Sequence, residues 1–244
     1  MATLDPIPHL SIVIPTYNER DNIHRLIRAV TTVMGPTPIE VIVVDDASPD
    51  GTSDMVRETS ATDRRVRLVQ RQRKAGLASA VFEGTKQATA EFVCIMDADL
   101  SHDPEEVPDM LAKARQGYDV VVGSRYVSGA SFVGQSWKRQ AISYATNLGV
   151  RTLLRLRTRD VLTGYAVVRR SVLTSMPTHY SSPGFKWLVE VLATNHGLRV
   201  FDWPIVFRER KEGQSKATAK EAVIFIVLCF KLFTWKVKYS LRLN

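Results

Sequence analysis

Cysteine is scarce, no apolar run is long, and low-complexity tracts are missing, and each shortage closes off a class of protein. The 244-residue chain has two cysteines, Cys94 and Cys229, far apart and without a neighbouring Cys or His at metal-ligand spacing. That rules against a disulfide framework or a zinc site and implies two buried, reduced thiols. The first residues, Met1-Ala2-Thr3-Leu4-Asp5-Pro6, lack the basic start and apolar core of a signal peptide, so a cytosolic protein is expected. No segment reaches the roughly 20 apolar residues of a membrane span. No Gly/Ser linker or internal repeat divides the chain, which argues against solenoids and tethered domains. With 45% hydrophobic and 24% charged residues, disorder is excluded as well. One large α/β domain is the expectation. The formal net charge of +8 calls for an anionic partner. Helix-turn-helix, zinc-finger and aromatic RNA-binding motifs are absent, so no nucleic acid is expected. The basic residues concentrate around 125–170 and from Arg208 onward, a distribution that suits an anionic membrane or a phosphorylated substrate.

What is present begins with strands that end in acid. Phe92 to Ile95 is apolar and runs through Met96 into Asp97-Ala98-Asp99-Leu100-Ser101-His102-Asp103. Two carboxylates one residue apart at a strand's C-terminal tip suit a hard divalent cation that also touches substrate phosphates. Alone, the pair reads equally well as a strand end leading into the helix that Pro104 opens. A second β-branched run, 39–44, ends in Asp45-Asp46, and a first, 10–15, ends in Thr16-Tyr17-Asn18-Glu19. Three polar tips on successive strands would gather Tyr17, Glu19, Asp45, Asp46, Asp97 and Asp99 on one rim, as a ligand site does.

Strands are expected at 10–15, 39–44, 65–70, 91–96 and 119–123, alternating with helices near 21–33, 52–62, 76–89 and 104–116. That order favours parallel strands joined by helical crossovers. Beyond Gly123 helices are expected over 138–155 and 184–196, strands over 165–169 and 200–208, and a long closing helix over 220–241. The chain therefore divides into a nucleotide half to about residue 123, an acceptor half from about 124 to 219, and the C-terminal helix, 220–244, within one domain.

Five stretches carry a family resemblance: Ser11-Ile-Val-Ile-Pro-Thr-Tyr-Asn-Glu19, Val44-Asp-Asp-Ala-Ser-Pro-Asp-Gly-Thr52, Met96-Asp-Ala-Asp-Leu-Ser-His102, Gly123-Ser-Arg-Tyr126 and Arg210-Lys-Glu-Gly-Gln-Ser-Lys216. The chain resembles the family-2 glycosyltransferases of GT-A fold, and within them the dolichol-phosphate or polyprenyl-phosphate mannose synthases. The resemblance implies a Rossmann-like, mostly parallel sheet flanked by helices. It implies that Pro15, Tyr17, Glu19, Val44 and Asp46 hold the nucleoside, with Ala98, Lys186 and Lys216 near the donor. Asp97 and Asp99 would bind Mg2+ or Mn2+ on the donor diphosphate, with Ser101 at the same site; some relatives carry Gln there, so a water can intervene. Arg125, Arg139 and Arg210 would converge on phosphate, where a planar guanidinium donates bidentately. Asp99, Arg125, Arg139 and Arg210 are then the catalytic candidates.

The activity so implied is transfer of mannose from GDP-mannose to dolichyl or polyprenyl phosphate, with inversion. Donor motifs alone would also fit another sugar, such as glucose from UDP-glucose passed to undecaprenyl phosphate or a polysaccharide, or a non-catalytic nucleotide-sugar-binding subunit. Asp160-Val-Leu-Thr-Gly164 reads as a structural turn, Glu190 as a residue that could face the acceptor, and His102 as a loop histidine rather than a metal ligand. Ala222 to Trp235 is too short for a span and is broken by Lys231, with Lys236, Lys238 and Arg242 trailing it. It reads either as an interfacial amphipathic helix or as a core helix packed on the sheet. A peripheral position on the cytosolic face of a membrane, or a membrane-protein partner, is expected.

Overall fold

Runs of β-branched residues set the framework. The computed structural model describes residues 7–175, 186–209 and 219–242, with side chains from 222 to 238 in the last stretch. Strands β1 (Leu10–Thr16) and β2 (Ile39–Asp45) are buried along their whole length. Near-continuous apolar runs of this kind mark strands covered by helices on both faces. Successive side chains divide between the two faces. Ile12, Ile14, Val41 and Val43 join one apolar cluster with helix α1 (Arg20–Met34) and helix α4 (Val107–Arg115). Val13, Ile42 and Val44 join the other, with helix α3 (Leu77–Gln87). Helix α1 buries Ile23, Leu26, Ile27, Val30 and Met34, the stripe of a helix laid on a sheet. Helix α3 comes close because Gly84 has no side chain: a Cβ there would lie 2.5 Å from a Val13 methyl.

Helix α2 (Thr52–Thr62), β3 (Val66–Gln70), β4 (Phe92–Ile95) and β5 (Val120–Ser124) continue the alternation, with a short 3-10 turn at Pro104–Glu106 before α4. Then come β6 (Ser131–Val133), α5 (Trp137–Leu153), β7 (Ala166–Arg169), α6 (Arg170–Thr174), α7 (Trp187–Thr194), β8 (Val200–Pro204), β9 (Val206–Arg208) and α8 (Ala219–Arg242). The main sheet has seven strands in the order β3-β2-β1-β4-β7-β5-β8, and β6 pairs with β9 in a small second sheet. All neighbours in the main sheet are parallel except β7, which runs antiparallel to both β4 and β5. Strand β7 thus lies inside the sheet that the first half begins, and the two halves share one framework.

Most expected elements are present within a residue or two, and the exceptions have local causes. The expected strand 200–208 divides at Ile205, whose N–H bonds the Ser124 carbonyl at 3.2 Å while its side chain is buried. Strand β8 then pairs with β5, and β9 turns away to β6. Helix α8 has a core-packed side and an exposed apolar side. Leu228, Cys229 and Leu232 are buried in the core, whereas Val223, Ile226 and Phe230 are exposed. Lys236, expected among the cations turned toward a membrane surface, instead donates its Nζ to the Leu154 carbonyl at 2.8 Å, capping the end of α5. Burial, with Arg155 nearby, lowers its pKa. Among the described residues no helix is long and apolar enough to cross a membrane. Both cysteines are free and buried, and burial raises both thiol pKa values, Cys229 to about 11.

Candidate active site

Strand direction decides what meets at the rim. Since β1, β2, β4 and β5 are parallel, their C-terminal ends lie on one side; since β7 is antiparallel, its N-terminal approach lies on that side too. The chain leaves β1 toward β2 on one side and β4 on the other, the switch point where α/β sheets bind ligands. Tyr17 and Glu19, Asp45 and Asp46, Asp97 and Asp99, Gly164, and Arg125 are therefore strand-end neighbours.

The two carboxylates after β2 differ in role. Asp45 is fully buried and accepts from Thr16 Oγ1 at 3.1 Å, Ser48 N at 3.0 Å and Ser53 Oγ at 2.7 Å. It ties the strand end to the start of α2. Asp46 accepts from the N–H groups of Ala75, at 2.9 and 3.0 Å, and Gly76, at 2.8 Å, and pairs with Arg71 at 3.1 Å. Here it organises the 71–76 loop. That loop places Lys74 Nζ 3.7 Å above the Tyr17 ring. Glu19 accepts from Asn22 Nδ2 at 3.0 Å, while its own N–H bonds Thr52 Oγ1 at 3.0 Å. Pro15 and Val44 lie opposite each other in the β1–β2 register, and the Val44 side chain packs toward Gly84. Any contact of Val44 with a nucleoside thus falls to its backbone.

After β4 the chain turns sharply, with Leu100 at φ 59°. Asp99 Oδ1 accepts from Ser101 N at 3.0 Å, and the Ser101 carbonyl accepts from Arg208 N at 3.3 Å. Ala98 is buried between the two carboxylates. Asp97 lies against Gly164, where a Cβ would come 3.0 Å from its Oδ2. The Asp97 N–H donates to His102 Nδ1 at 3.1 Å, and the His102 ring stacks on Tyr165 at 4.8 Å. His102 lies in the loop after β4, as read from sequence, and is buried there, where it shapes the turn. Burial raises the Tyr165 pKa well above its ordinary value, so the ring stays neutral, and its hydroxyl donates to the Asp103 carbonyl at 2.8 Å. Among the described residues no cluster of three or more His, Cys, Asp or Glu is placed to hold a metal. Two carboxylates in a turn fit a divalent cation nonetheless, since Mg2+ commonly takes one or two carboxylates and completes its shell with water and substrate phosphate.

Arg125 extends from the end of β5 into a bidentate pair. Its Nε donates to Asp160 Oδ2 at 2.7 Å and its Nη2 to Oδ1 at 2.9 Å; its backbone N–H reaches Oδ2 at 3.0 Å. The Asp160 side chain is 0% exposed and that of Arg125 10%. Burial works against the guanidinium charge, but Asp160, with smaller contributions from Tyr126 and Asp97, raises its pKa above the ordinary value. The rings of Tyr126 and Phe207 flank it at 5.4 and 5.2 Å. Asp160, read from sequence as part of a structural turn, is the counter-charge of the site's arginine, and Gly164 of the same segment borders Asp97. Asp202 lies next to this pair, accepting from Thr158 Oγ1 and from Arg159 N. Burial raises the Asp202 pKa, and Asp160 adds to the rise.

The remaining candidates divide. Lys186 Nζ donates to the Leu162 carbonyl at 3.1 Å, which brings it to the rim beside the 160–164 segment. Arg139, on the first turn of α5, pairs with Glu209 at 2.5 Å on an exposed surface rather than joining Arg125. Glu190 is fully buried within α7. Arg210 and Lys216 lie outside the described residues.

Comparison with known proteins agrees with this architecture. The family model described as glycosyl transferase family 2 matches residues 11–176. The polyprenol monophosphomannose synthase of Mycolicibacterium smegmatis is 34% identical over 247 residues, covering 97% of this chain and 90% of that protein. The dolichol-phosphate mannosyltransferase of Pyrococcus furiosus is 32% identical over 240 residues, covering 95% of this chain and 67% of that protein. Among solved structures, glucosyl-3-phosphoglycerate synthase from Mycobacterium tuberculosis in complex with phosphoglyceric acid superposes with a TM-score of 0.70 at 18% identity, covering 93% of this chain and 80% of that one. The same enzyme with Mn2+, UDP and glucosyl-3-phosphoglycerate gives 0.66 at 19%, covering 91% and 80%. At such identities the structural likeness speaks for the GT-A-like fold alone. The matched length and the full-chain relatives place the protein by sequence: it is a glycosyltransferase and belongs to glycosyl transferase family 2.

Proposed function

We propose that this glycosyltransferase moves a mannosyl group from GDP-mannose to a dolichyl or polyprenyl phosphate at the cytosolic face of a membrane. The names of the two sequence relatives, matched over 90% and 67% of their own lengths, supply the sugar and the lipid phosphate. The single structural observation that carries the chemistry is the meeting on one strand-end rim of the Asp97–Asp99 turn and the Arg125 guanidinium that Asp160 holds. A carboxylate turn suits a cation on the donor diphosphate, and an arginine in an apolar setting suits the second anion.

A lipid phosphate is largely dianionic near pH 7, its second pKa being about 6, so its oxygen attacks without a strong general base. A new bond forms between that oxygen and the anomeric carbon, the bond to the GDP oxygen breaks, and no proton need move. One displacement inverts the anomeric configuration; a retaining route needs a carboxylate nucleophile on the opposite sugar face. Asp97 and Asp99, with Ser101 beside them, would hold Mg2+ or Mn2+, which supplies charge stabilisation to the departing diphosphate. Tyr17 and Glu19 would receive the nucleoside at the tip of β1, with Asp46 shaping the loop above. Arg125, fixed by Asp160, and Lys186 would hold phosphate oxygens and lower the repulsion between donor and acceptor anions. Arg210 and Lys216 belong to the same phosphate-binding set by resemblance, whereas Arg139, expected there too, is held by Glu209.

The test is a panel of radiolabelled GDP-mannose, UDP-glucose and other nucleotide sugars against polyprenyl phosphate, with and without Mn2+, for wild type and Asp99→Ala. Transfer from GDP-mannose alone, dependent on the metal and absent in a folded Asp99→Ala protein, is expected. Normal turnover by that variant, with chelation equally harmless, would overturn the metal assignment; transfer from UDP-glucose instead would overturn the donor.

A further inference from the structure

The segment that carries Asp160 has no hydrogen-bond ladder of its own. Residues 154–165 connect α5 to β7 outside any helix or strand, so the backbone groups they bury need side-chain partners. Around Asp160 those partners are supplied one by one. The Arg159 N–H bonds Asp202 Oδ2 at 3.0 Å, and the Arg159 carbonyl accepts from Asn147 Nδ2. The Asp160 N–H bonds Thr158 Oγ1 at 3.2 Å, and the Val161 N–H bonds Asn147 Oδ1 at 2.8 Å. Thr158 in turn donates its hydroxyl to Asp202 Oδ1, and Thr158, Asn147 and Asp160 are all buried. Asn147 comes from α5, and Asp202 from β8, where it stands in register with Val122 of β5. The turn is gripped from two sides, and the residue it holds is the one that forks Arg125.

Stability does not account for a carboxylate on the β8 side of this grip. Burial and the like charge of Asp160 raise the Asp202 pKa, so its ionised form costs the fold stability above that value, and the cost vanishes as pH falls through it. An Asn of the same shape would avoid the cost and still offer Thr158 one acceptor. It would lose the second oxygen and the direction of the Thr158 hydroxyl. A carboxylate only accepts, so Thr158 must donate to it and turn a lone pair to the Asp160 N–H, whereas an amide can also donate and reverse that order. We propose that Asp202, with Asn147 opposite, is a positioning residue of the transfer reaction: it sets Asp160 through Thr158 and Arg159, and Asp160 sets the Arg125 guanidinium. A displacement of about 1 Å in a positioned group can lower a rate by about a hundredfold, so a loosened turn is felt at the reacting phosphate although the clamp touches no substrate. This purpose rests on Arg125 holding phosphate, as read above; the clamp itself does not.

Full-chain Asp202→Asn, Thr158→Val and Thr158→Ser, compared with Arg125→Lys, test it. Proton–nitrogen NMR follows hydrogen exchange at the Arg125 Nε–H, a signal assigned by its loss in Arg125→Lys. Exchange there should be about tenfold faster than wild type in Asp202→Asn and Thr158→Val, and unchanged in Thr158→Ser, which keeps the hydroxyl. Asp202→Asn should unfold at or above the wild-type temperature at about pH 7, since it removes a buried charge. In assays with GDP-mannose and polyprenyl phosphate, the constant that Arg125→Lys moves, expected to be the acceptor KM, should move about fivefold the same way in Asp202→Asn. Added to Arg125→Lys, where the fork is already gone, Asp202→Asn should change that constant less than about twofold. Wild-type exchange in Asp202→Asn, or a loss of transfer that tracks a lower unfolding temperature, overturns the proposal. So does an equal effect of Asp202→Asn in both backgrounds, because Asp202 would then act elsewhere than on Arg125. If the exchange results hold while no sugar reaches polyprenyl phosphate, the clamp stands and the transfer reading falls.

Discussion

Replacing Asp160 with Asn separates the buried ion pair from everything else at the rim. The substitution keeps the size of the side chain and one acceptor oxygen, but removes the charge opposing Arg125 and one side of the fork. With Asp160 fully buried and Arg125 only 10% exposed, the stranded guanidinium cannot be rehydrated without opening the segment. Breaking a buried pair from one side costs about 3–5 kcal/mol, and the retained oxygen places this case near about 3 kcal/mol. At about 2–4 °C per kcal/mol for a chain of this size, the unfolding midpoint should fall by about 6–12 °C. The exposed Arg139–Glu209 pair makes the contrast: its side chains are 54% and 38% exposed, so Arg139→Gln should cost less than about 1 kcal/mol.

Calorimetry and transfer assays on two variants separate charge from shape. In Asp160→Asn both the midpoint and transfer should fall, transfer by about tenfold or more, because the arginine fork is no longer held. In Arg125→Met/Asp160→Leu the midpoint should return most of the way to wild type, since two apolar groups leave no stranded charge, while transfer stays lost. An Asp160→Asn protein that melts and turns over like wild type would refute the role of the pair. A double variant less stable than the single one would show that packing, not charge, governs this site.

Arg125→Lys keeps a cation but lacks the planar fork, so transfer should fall through acceptor use, with titration calorimetry showing GDP-mannose affinity much less changed; donor binding lost with acceptor kinetics intact would move Arg125 to the donor side. Gly164→Ala would set a methyl 3.0 Å from Asp97 Oδ2, so Mn2+-dependent donor binding should weaken at an almost unchanged unfolding midpoint. Burial pushes the Glu40 pKa up, but hydrogen bonds from Ser11 and from the N–H and hydroxyl of Thr89, with the charge of Arg67, leave it below its ordinary 4.5. Its contribution is then complete above that value and lost as pH falls through the lower folded value. Glu40→Gln should therefore be about 1–3 kcal/mol less stable than wild type at about pH 7 in urea titrations, with the gap closing as pH falls through the lowered folded value.

What the sequence made legible follows from periodicity. Strands β1 and β2 are continuous β-branched runs because helices cover both faces, and that composition has few other uses. Acidic residues at three strand ends fall on one rim as soon as the strands are parallel. Less legible were the features that depend on partners distant in the chain. Nothing in the spacing distinguishes Asp45, held by Thr16, Ser48 and Ser53, from Asp46, held by the amides of Ala75 and Gly76. Asp160 lies 35 residues from Arg125, and a lone Asp before a strand reads as a turn. Only the antiparallel insertion of β7 between β4 and β5 carries the 160–164 segment to the rim.

Helix α5 shows why composition fails where function is a surface. A helix with two buried residues in 17 has little core stripe to detect, and its sequence lacks the clean polar face of an ordinary solvent helix. The fold gives it a place through two inward residues, Ser143 and Asn147, which hydrogen-bond Tyr126 and the two residues that flank Asp160. Its exposed apolar residues contribute nothing to that anchoring, so stability within the chain does not account for them. They cost solubility without adding to the core, an arrangement that selection keeps where a second surface completes the burial.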